Sequence, residues 1–446
     1  MSDQASMTKM RPLQIMKFGG TSVGDASCIR RVAEIVRNAA HESDLVVVVS
    51  AMSGVTNKLI EAAARSEAGD LRAAQAIFTA LRAQHDSALH TLVQCPEQRR
   101  AIRNKMQNCY EQGQQLCKRA EALRELSLRD HDSISSLGER LCAPLVAAAL
   151  IAYEVRSEAI DATEIVVTDS CHGAANPSVD STRERCQGRM DELLQQGIVP
   201  VVTGFIGATP EGVLTTLGRG GSDYSATILG AALGADEVII WTDVNGLMTA
   251  DPRVVDKACT IPEISYREAA ELAHFGAKVL HPKTLRALTQ CGIPLWIRNT
   301  FAPHLAGTKI TPAGPAIHGG VKGLTAMLRC EVTQDPAHKR GEDIALDSTA
   351  AIVTIVGMDV RSTEAAARML GALSLAQVNV VAMFEGASGC SVSVVVAGKD
   401  KTAALVALHH EFQLGKVSWP ALSAASPAVA TAALYYQSEP APADGD

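Results

Sequence analysis

Residues 13–22 read Leu-Gln-Ile-Met-Lys-Phe-Gly-Gly-Thr-Ser, an apolar run that breaks on a glycine turn. Leu13 to Phe18 has the length of a strand, and residues 27–39 carry the apolar spacing of an amphipathic helix. A strand, a glycine turn and a helix make the repeating unit of an α/β fold. The unit recurs along the chain. Residues 45–50 form a near-continuous β-branched run, as in a strand buried on both faces. Residues 198–203 and 237–242 are two more such strands, separated by a glycine-rich turn and an alanine-rich helix over 222–233. Residues 57–129 are polar and helix-rich, 262–290 read as helical, and 293–298 form a further strand. The fold class is therefore α/β: an open, mostly parallel sheet with helices on both faces. The apolar run 141–153 contains Pro144 and is shorter than a bilayer requires, so it reads as a buried helix.

A chain of 446 residues exceeds one ordinary domain. Composition changes near residue 301, where a stretch rich in proline and glycine reads as a linker over 301–322. Beyond it, strands at 351–357, 378–384 and 391–397 and helices at 362–376 and 401–412 follow a β-α-β-β-α order, which is ferredoxin-like. Residues 431–446 are rich in proline, alanine and acid, and read as a disordered tail. The net charge of −7 argues against nucleic acid as the main partner, so an anionic ligand must be held by local positive groups. The polar N-terminus lacks a signal peptide, and the eleven cysteines are scattered without a C-x-x-C pair or a histidine cluster at metal spacing. Reduced thiols in a cytoplasmic protein, with no membrane partner and no protein-held metal, is the resulting expectation.

Three glycine turns follow strands: Gly19-Gly20-Thr21-Ser22, Gly204-Phe205-Ile206-Gly207, and Gly218-Arg219-Gly220-Gly221-Ser222-Asp223. Glycine lets the backbone approach a phosphate, and the helix that follows offers unpaired amides and a positive dipole end. Two of the turns carry a fixed cation, Lys17 just before the first and Arg219 within the third. The P-loop pattern, a G-x-G-x-x-G after the first strand and the protein-kinase signatures are all absent. A bound nucleotide therefore needs another α/β solution.

The residues around these turns resemble the aspartate kinases of the amino-acid kinase superfamily. The resemblance runs through Lys17 to Val23, Ser50 to Asn57, Ser136 to Glu139, Leu217 to Ala226, Trp241 to Gly246, Asp251 to Arg253 and Phe275 to Pro282, in the family's order over residues 13–300. It implies transfer of the γ-phosphoryl group of ATP, with Mg2+, to the side-chain carboxylate of L-aspartate. It also implies the roles. Lys17, oriented by Asp223, would neutralise the transferring phosphoryl group, and Gly19 and Gly20 would donate backbone amides to the phosphates. Thr56, Glu139 and Arg219 would hold aspartate, with Ser50, Phe205 and Ser222 nearby. Thr242, Asp243, Arg253 and Lys278 would hold the nucleotide, with Met248 by the adenine, where a tyrosine is usual in the family. The chemistry agrees with such an inventory: a carboxylate with a reference pKa of about 3.9 needs no general base. What it needs is cations and donors that let two anions meet.

Members of the family usually carry two ACT modules, which bind an end-product amino acid. Here one clear repeat is visible, 351–412 within a regulatory region 323–430, and the other is shortened or degenerate. By resemblance the region pairs across a homodimer or higher homo-oligomer and offers a site for an effector, lysine or threonine. Two other readings stand beside this one: a kinase acting on an aspartate analogue in a specialised pathway, and a non-catalytic amino-acid sensor.

Overall fold

The computed structural model describes residues 11–276, 280–315, 320–329, 350–358, 360, 362–386 and 388–416. Two compact units emerge, one reaching Val244 and including Arg286–Ala306, the other comprising Asn245–Leu285 and the described residues from Gly307 to Lys416. In chain order the first holds β1 (Leu13–Phe18), α1 (Ala26–Ala40), β2 (Asp44–Val49), α2 (Val55–Glu67), α3 (Leu71–Leu92), α4 (Pro96–Leu123), α5 (Leu128–Ser135) and α6 (Leu137–Ala152). It continues with β3 (Ser157–Ile160), α7 (Val179–Gln195), β4 (Val199–Thr203), β5 (Ile206–Ala208), β6 (Leu214–Thr216), α8 (Gly221–Leu233) and β7 (Glu237–Thr242). The chain then passes through β8 (Glu263–Ser265) and α9 (Tyr266–His274) of the second unit, and α10 (Pro282–Thr289) leads back to β9 (Leu295–Asn299) of the first. The second unit is completed by β10 (Thr308–Thr311), β11 (Val321–Arg329), β12 (Ala350–Gly357), α11 (Thr363–Leu375), β13 (Val380–Glu385), β14 (Ser391–Ala397) and α12 (Lys401–Glu411).

Six strands of the first unit pair in parallel in the order β3-β4-β2-β1-β7-β9. Parallel strands covered by helices on both faces have no solvent side, so apolar residues run on without alternation. That is why Leu45 to Val49 and Val199 to Thr203 are buried at every position. β1 lies between β2 and β7, with Lys17 in register with Val48 and Ile240. The glycine turns after β1 and β4 stand at the carboxyl ends of their strands, where open α/β sheets bind ligands. By length and composition alone Leu128–Ala152 could cross a membrane, so the length limit read from 141–153 is too tight; 78% of its most apolar window is buried inside the protein.

In the second unit β11, β12, β14 and β13 form an antiparallel sheet in that order. Val353, Ile355, Met369, Leu373, Val394 and Leu408 close its core between the sheet and the helices α11 and α12. The β-α-β-β-α order is as the sequence indicates, and β11 adds a strand on the free side of β12.

Several boundaries differ from the sequence reading. Residues 262–290 are not helical throughout: Ser265 ends β8 and caps α9 in a reciprocal arrangement with Glu268, and α9 stops before Gly276, which has φ 118°. The expected linker 301–322 contains β10, which pairs in parallel with β8, and the first residues of β11. The compact units do not divide at residue 300, since Asn245–Leu285 clusters with the C-terminal part. The tail expected over 431–446 and most of the expected degenerate stretch, 330–349, lie outside the described residues.

Candidate active site

Lys17 is the fifth residue of β1 and is buried, its Nζ 2.5 Å from Asp223 Oδ1. A lysine inside a sheet has to be paired. Asp223 supplies the charge from the first turn of α8. The turn after β1 is held by the Gly19 amide, which donates to the Trp241 carbonyl at 3.1 Å, and by the Ser22 hydroxyl, which meets Thr300 Oγ1 at 2.7 Å. A Cβ on Gly19 would lie 3.4 Å from Lys17 Nζ, and one on Gly20 would lie 3.1 Å from the Ala51 carbonyl. The turn is therefore wedged between the ends of β1, β2 and β7.

Three helices open onto this region without a capping side chain, α6 after Ser136 among them. α2 starts after Gly54 (φ 76°) and α8 after Gly220 (φ 70°), both left-handed. Elsewhere in the unit α1, α3, α5 and α7 begin on Asp25, Asp70, Ser127 and Ser178, each accepting a first-turn amide. The first amides of α2 and α8, at Val55 and Gly221, close onto the Met52 and Gly218 carbonyls, and the next two, at Thr56 and Asn57 and at Ser222 and Asp223, are left for an anion.

Glu139 enters from the first turn of α6 and is buried. One oxygen accepts from the Ala51 amide at 3.1 Å; the other has no partner. Burial pushes its pKa up to about 8, against the Ala51 amide, its own amide and the Lys17 charge, which all favour the carboxylate. Gly138 makes this approach possible, since a Cβ there would lie 2.6 Å from the Ala51 Cβ. A desolvated carboxyl with one open oxygen is suited to a ligand ammonium.

Phe205 has φ 72°, an unusual conformation for an aromatic residue. Its amide donates to Ser225 Oγ, its carbonyl accepts from the Leu217 amide, and its ring lies where a Cβ on Gly221 would come within 2.7 Å. Strained backbone locked by its surroundings is a common property of ligand sites. Arg219 is exposed and pairs with no other described residue. Ser50 is half-buried at the end of β2, its amide donating to the Phe18 carbonyl. Thr242 and Asp243 end β7 beside the first turn, hydroxyl to carboxylate at 3.2 Å.

The first unit therefore brings together Lys17, Gly19, Gly20, Ser50, Thr56, Glu139, Phe205, Arg219, Ser222, Asp223, Thr242 and Asp243 at or beside the carboxyl ends of β1, β2, β4 and β7. Met248 and Arg253 belong to the second unit. There Met248 Sδ accepts from the Thr260 hydroxyl at 3.6 Å, and the exposed Arg253 makes a two-pronged contact with Asp251 at 3.0 and 2.7 Å. Lys278 lies outside the described residues. Sequence reasoning missed Thr300 and Arg298. Thr300 braces Ser22, and Arg298, buried over the Trp241 ring at 4.6 Å with its pKa pushed down to about 10 by desolvation, holds the Pro303 carbonyl. Neither sits in a recognisable motif.

A cavity of about 510 Å³ opens at the other ends of β2 and β4, lined by Arg11, Arg37, Tyr153 and Arg156 among others. Arg11 donates to the Ala40 and Ser43 carbonyls and Arg156 to that of Gln196, just past the carboxyl ends of α1 and α7. These cations complete helix ends, which accounts for them without an anionic ligand. Among the described residues no group of three or more His, Cys, Asp or Glu converges as a metal cage.

Comparison with known proteins places the site in context. Residues 12–299 match the amino acid kinase family, and residues 353–412 match an ACT domain. The chain is 36% identical over 303 residues to the lysine-sensitive aspartokinase 3 of Escherichia coli, covering 68% of this chain and 64% of that protein. It is 35% identical over 301 residues to the chloroplastic aspartokinase 1 of Arabidopsis thaliana, covering 67% and 52%. The matching stretch thus spans about half to two thirds of these relatives. The E. coli aspartokinase III structure in complex with aspartate and ADP superposes with a TM-score of 0.75 at 27% identity, covering 90% of this chain and 99% of that one. The same enzyme in complex with lysine and aspartate gives the same values.

Proposed function

The chain belongs to the amino acid kinase family, and on that premise we propose that it is an aspartate kinase converting ATP and L-aspartate to ADP and 4-phospho-L-aspartate. The observation that carries the reading is the Lys17–Asp223 pair among glycine turns and uncapped helix starts, next to a buried glutamate with one open oxygen. Relatives named as aspartokinases, one of them solved with aspartate and ADP, support the choice of acceptor.

Glu139 takes the aspartate ammonium, and Arg219 clamps a carboxylate with its free fork of donors. Thr56 and Ser222, at the two open helix starts, with Ser50 and Phe205 beside them, complete the acceptor pocket. The side-chain carboxylate of aspartate attacks the γ-phosphorus and the bond to the β,γ-bridging oxygen breaks, leaving ADP. Lys17, held in place by Asp223, and the amides of Gly19 and Gly20 meet the charge on the phosphoryl oxygens. Thr242 and Asp243, at the end of β7, hold the nucleotide from this unit; the family resemblance assigns Met248, Arg253 and Lys278 to the same ligand. Among the described residues no carboxylate cage converges, so a bound Mg2+ would be held mainly through the phosphates, where it would supply charge neutralisation.

On this reading residues 1–300 form the catalytic domain and 323–430 the regulatory region, which binds an amino-acid effector, lysine or threonine. β13 supports assembly as a homodimer. Among the described residues it is the last strand of its sheet, and it is exposed from Val381 to Glu385, with Val381 at 70%, an apolar edge that a second copy would cover. The enzyme works in the cytoplasm, at the start of aspartate-family amino-acid synthesis.

A coupled assay of ADP release across L-aspartate, L-glutamate and aspartate analogues tests the acceptor. Fastest turnover is expected with L-aspartate. A higher rate with glutamate or an analogue overturns that choice, and no turnover with any acid favours an amino-acid sensor.

A further inference from the structure

Asp132 on α5 carries no role in the reading above, yet it is fully buried and saturated with donors. Its Oδ1 accepts from the Thr216 hydroxyl at 2.5 Å and the Gly173 amide at 3.0 Å. Its Oδ2 accepts from the Gly173 amide at 3.1 Å and the Thr216 amide at 3.3 Å, and meets His172 Nδ1 at 2.8 Å. An isolated carboxylate this deep in a protein is strongly unfavourable unless such partners compensate it. Three segments distant in sequence therefore converge on one side chain.

Each of the three continues into the acceptor pocket or packs against it. Seven residues beyond Asp132, past the α5–α6 junction at Ser136, stands Glu139. Thr216 ends β6, and the turn with Gly218 and Arg219 follows at once. The loop at 171–175 lies directly on that turn: the Ala175 amide donates to the Thr216 carbonyl at 2.8 Å, and a Cβ on Gly218 would stand 3.0 Å from the Gly173 carbonyl. Gly218 has φ 77°, so the approach and the turn both require glycine.

We propose that Asp132 is a positioning residue for the acceptor site, fixing the turn that carries Arg219 against the helix that carries Glu139 through its bonds to Thr216, Gly173 and His172. The proposal rests on the reading of Glu139 and Arg219 as the two ends of the acceptor clamp. Asp132 touches neither reactant; it sets the spacing between the groups that do. Asp132's own hydrogen-bond partners, His172, Gly173 and Thr216, all lie outside the turn after β1, so the effect is expected to fall on the acceptor more than on phosphate binding.

Asp132→Asn keeps the shape and replaces one acceptor oxygen by a donor that faces donors. Aspartate KM is expected to rise about tenfold or more, as for loss of a charged hydrogen bond, while ATP KM stays within about twofold. Thr216→Val removes one hydroxyl bond and leaves the amide, so it shifts aspartate KM the same way by less, and it serves if the first variant fails to fold. Amide hydrogen exchange, read without substrates, gives an arm independent of activity. Exchange should quicken at 171–175 and 216–220 in either folded variant and stay unchanged at 19–24. Equal shifts in both KM values, or unaltered exchange at 216–220 in a folded variant, overturn the proposal. If the parent protein fails to turn over aspartate, the acceptor reading falls, and the exchange result still decides whether Asp132 holds the turn.

Discussion

Glu139 is where the electrostatics of the site are most exposed to test. Its pKa stands near 8 in the folded chain against 4.5 for the ordinary side chain, mainly because burial disfavours the charge. Folding thus favours the protonated form. The stability this group contributes is fully present below about pH 4.5 and is lost as pH rises to about 8. A Glu139→Gln variant, neutral throughout, should lose less stability than the parent over that window, measured by urea unfolding; equal losses would count against the assignment. Binding runs the other way, because a ligand ammonium needs the carboxylate. Aspartate KM in the parent should fall as pH rises toward about 8, and in the variant it should be higher and nearly flat. Residue chemistry of this kind was half legible. Lys17 and Arg219 stand out beside glycine turns. Glu139's open oxygen becomes visible only when α6 is laid against Ala51.

Among the elements, left-handed glycine starts mark two helices of the site, while lack of a capping side chain alone does not, since α4 lacks one as well. α1, α3, α5 and α7 spend a side chain on capping, whereas α2 and α8 begin on left-handed glycines and leave their second and third amides open. Glycine turns are local, so the sequence displays them. Asp132 shows the opposite limit: its partners Gly173 and Thr216 are 41 and 84 residues away, and no spacing rule reaches that far. The single helix expected over 262–290 failed for a related reason. A capping serine and Gly276 punctuate the segment, yet β8 forms by pairing with β10, whose residues lay in the supposed linker. The seat of α6 gives a direct test. Gly138→Ala would put a methyl 2.6 Å from the Ala51 Cβ, which should destabilise the protein by about 1–3 kcal/mol and, by moving Glu139, raise aspartate KM more than ATP KM. Unchanged unfolding and kinetics would show that α6 is not seated as described.

For the whole molecule, the alternation of strands and helices was enough to identify the parallel sheet, and the β-α-β-β-α order enough to identify the antiparallel one. The place of β11 beside β12 was not legible, because sheet order depends on pairing rather than succession. The exposed edge at β13 belongs to this scale. Light scattering should find the parent at twice the mass of its 47.0 kDa chain, and Val381→Glu with Phe384→Glu should shift it toward a single copy. A monomeric parent, or a variant as large as the parent, would rule out assembly through that strand. The centre of the account is the meeting of two anions at Lys17. Hydroxylamine trapping of the acyl phosphate, with ATP, Mg2+ and L-aspartate saturating, tests it most directly. Aspartyl hydroxamate should form with the parent, Lys17→Ala should lower the saturated rate about 10²–10³-fold with aspartate KM little changed, and Arg219→Ala should act mainly on that KM. No hydroxamate from the parent, or a parent-like rate from Lys17→Ala, would contradict it.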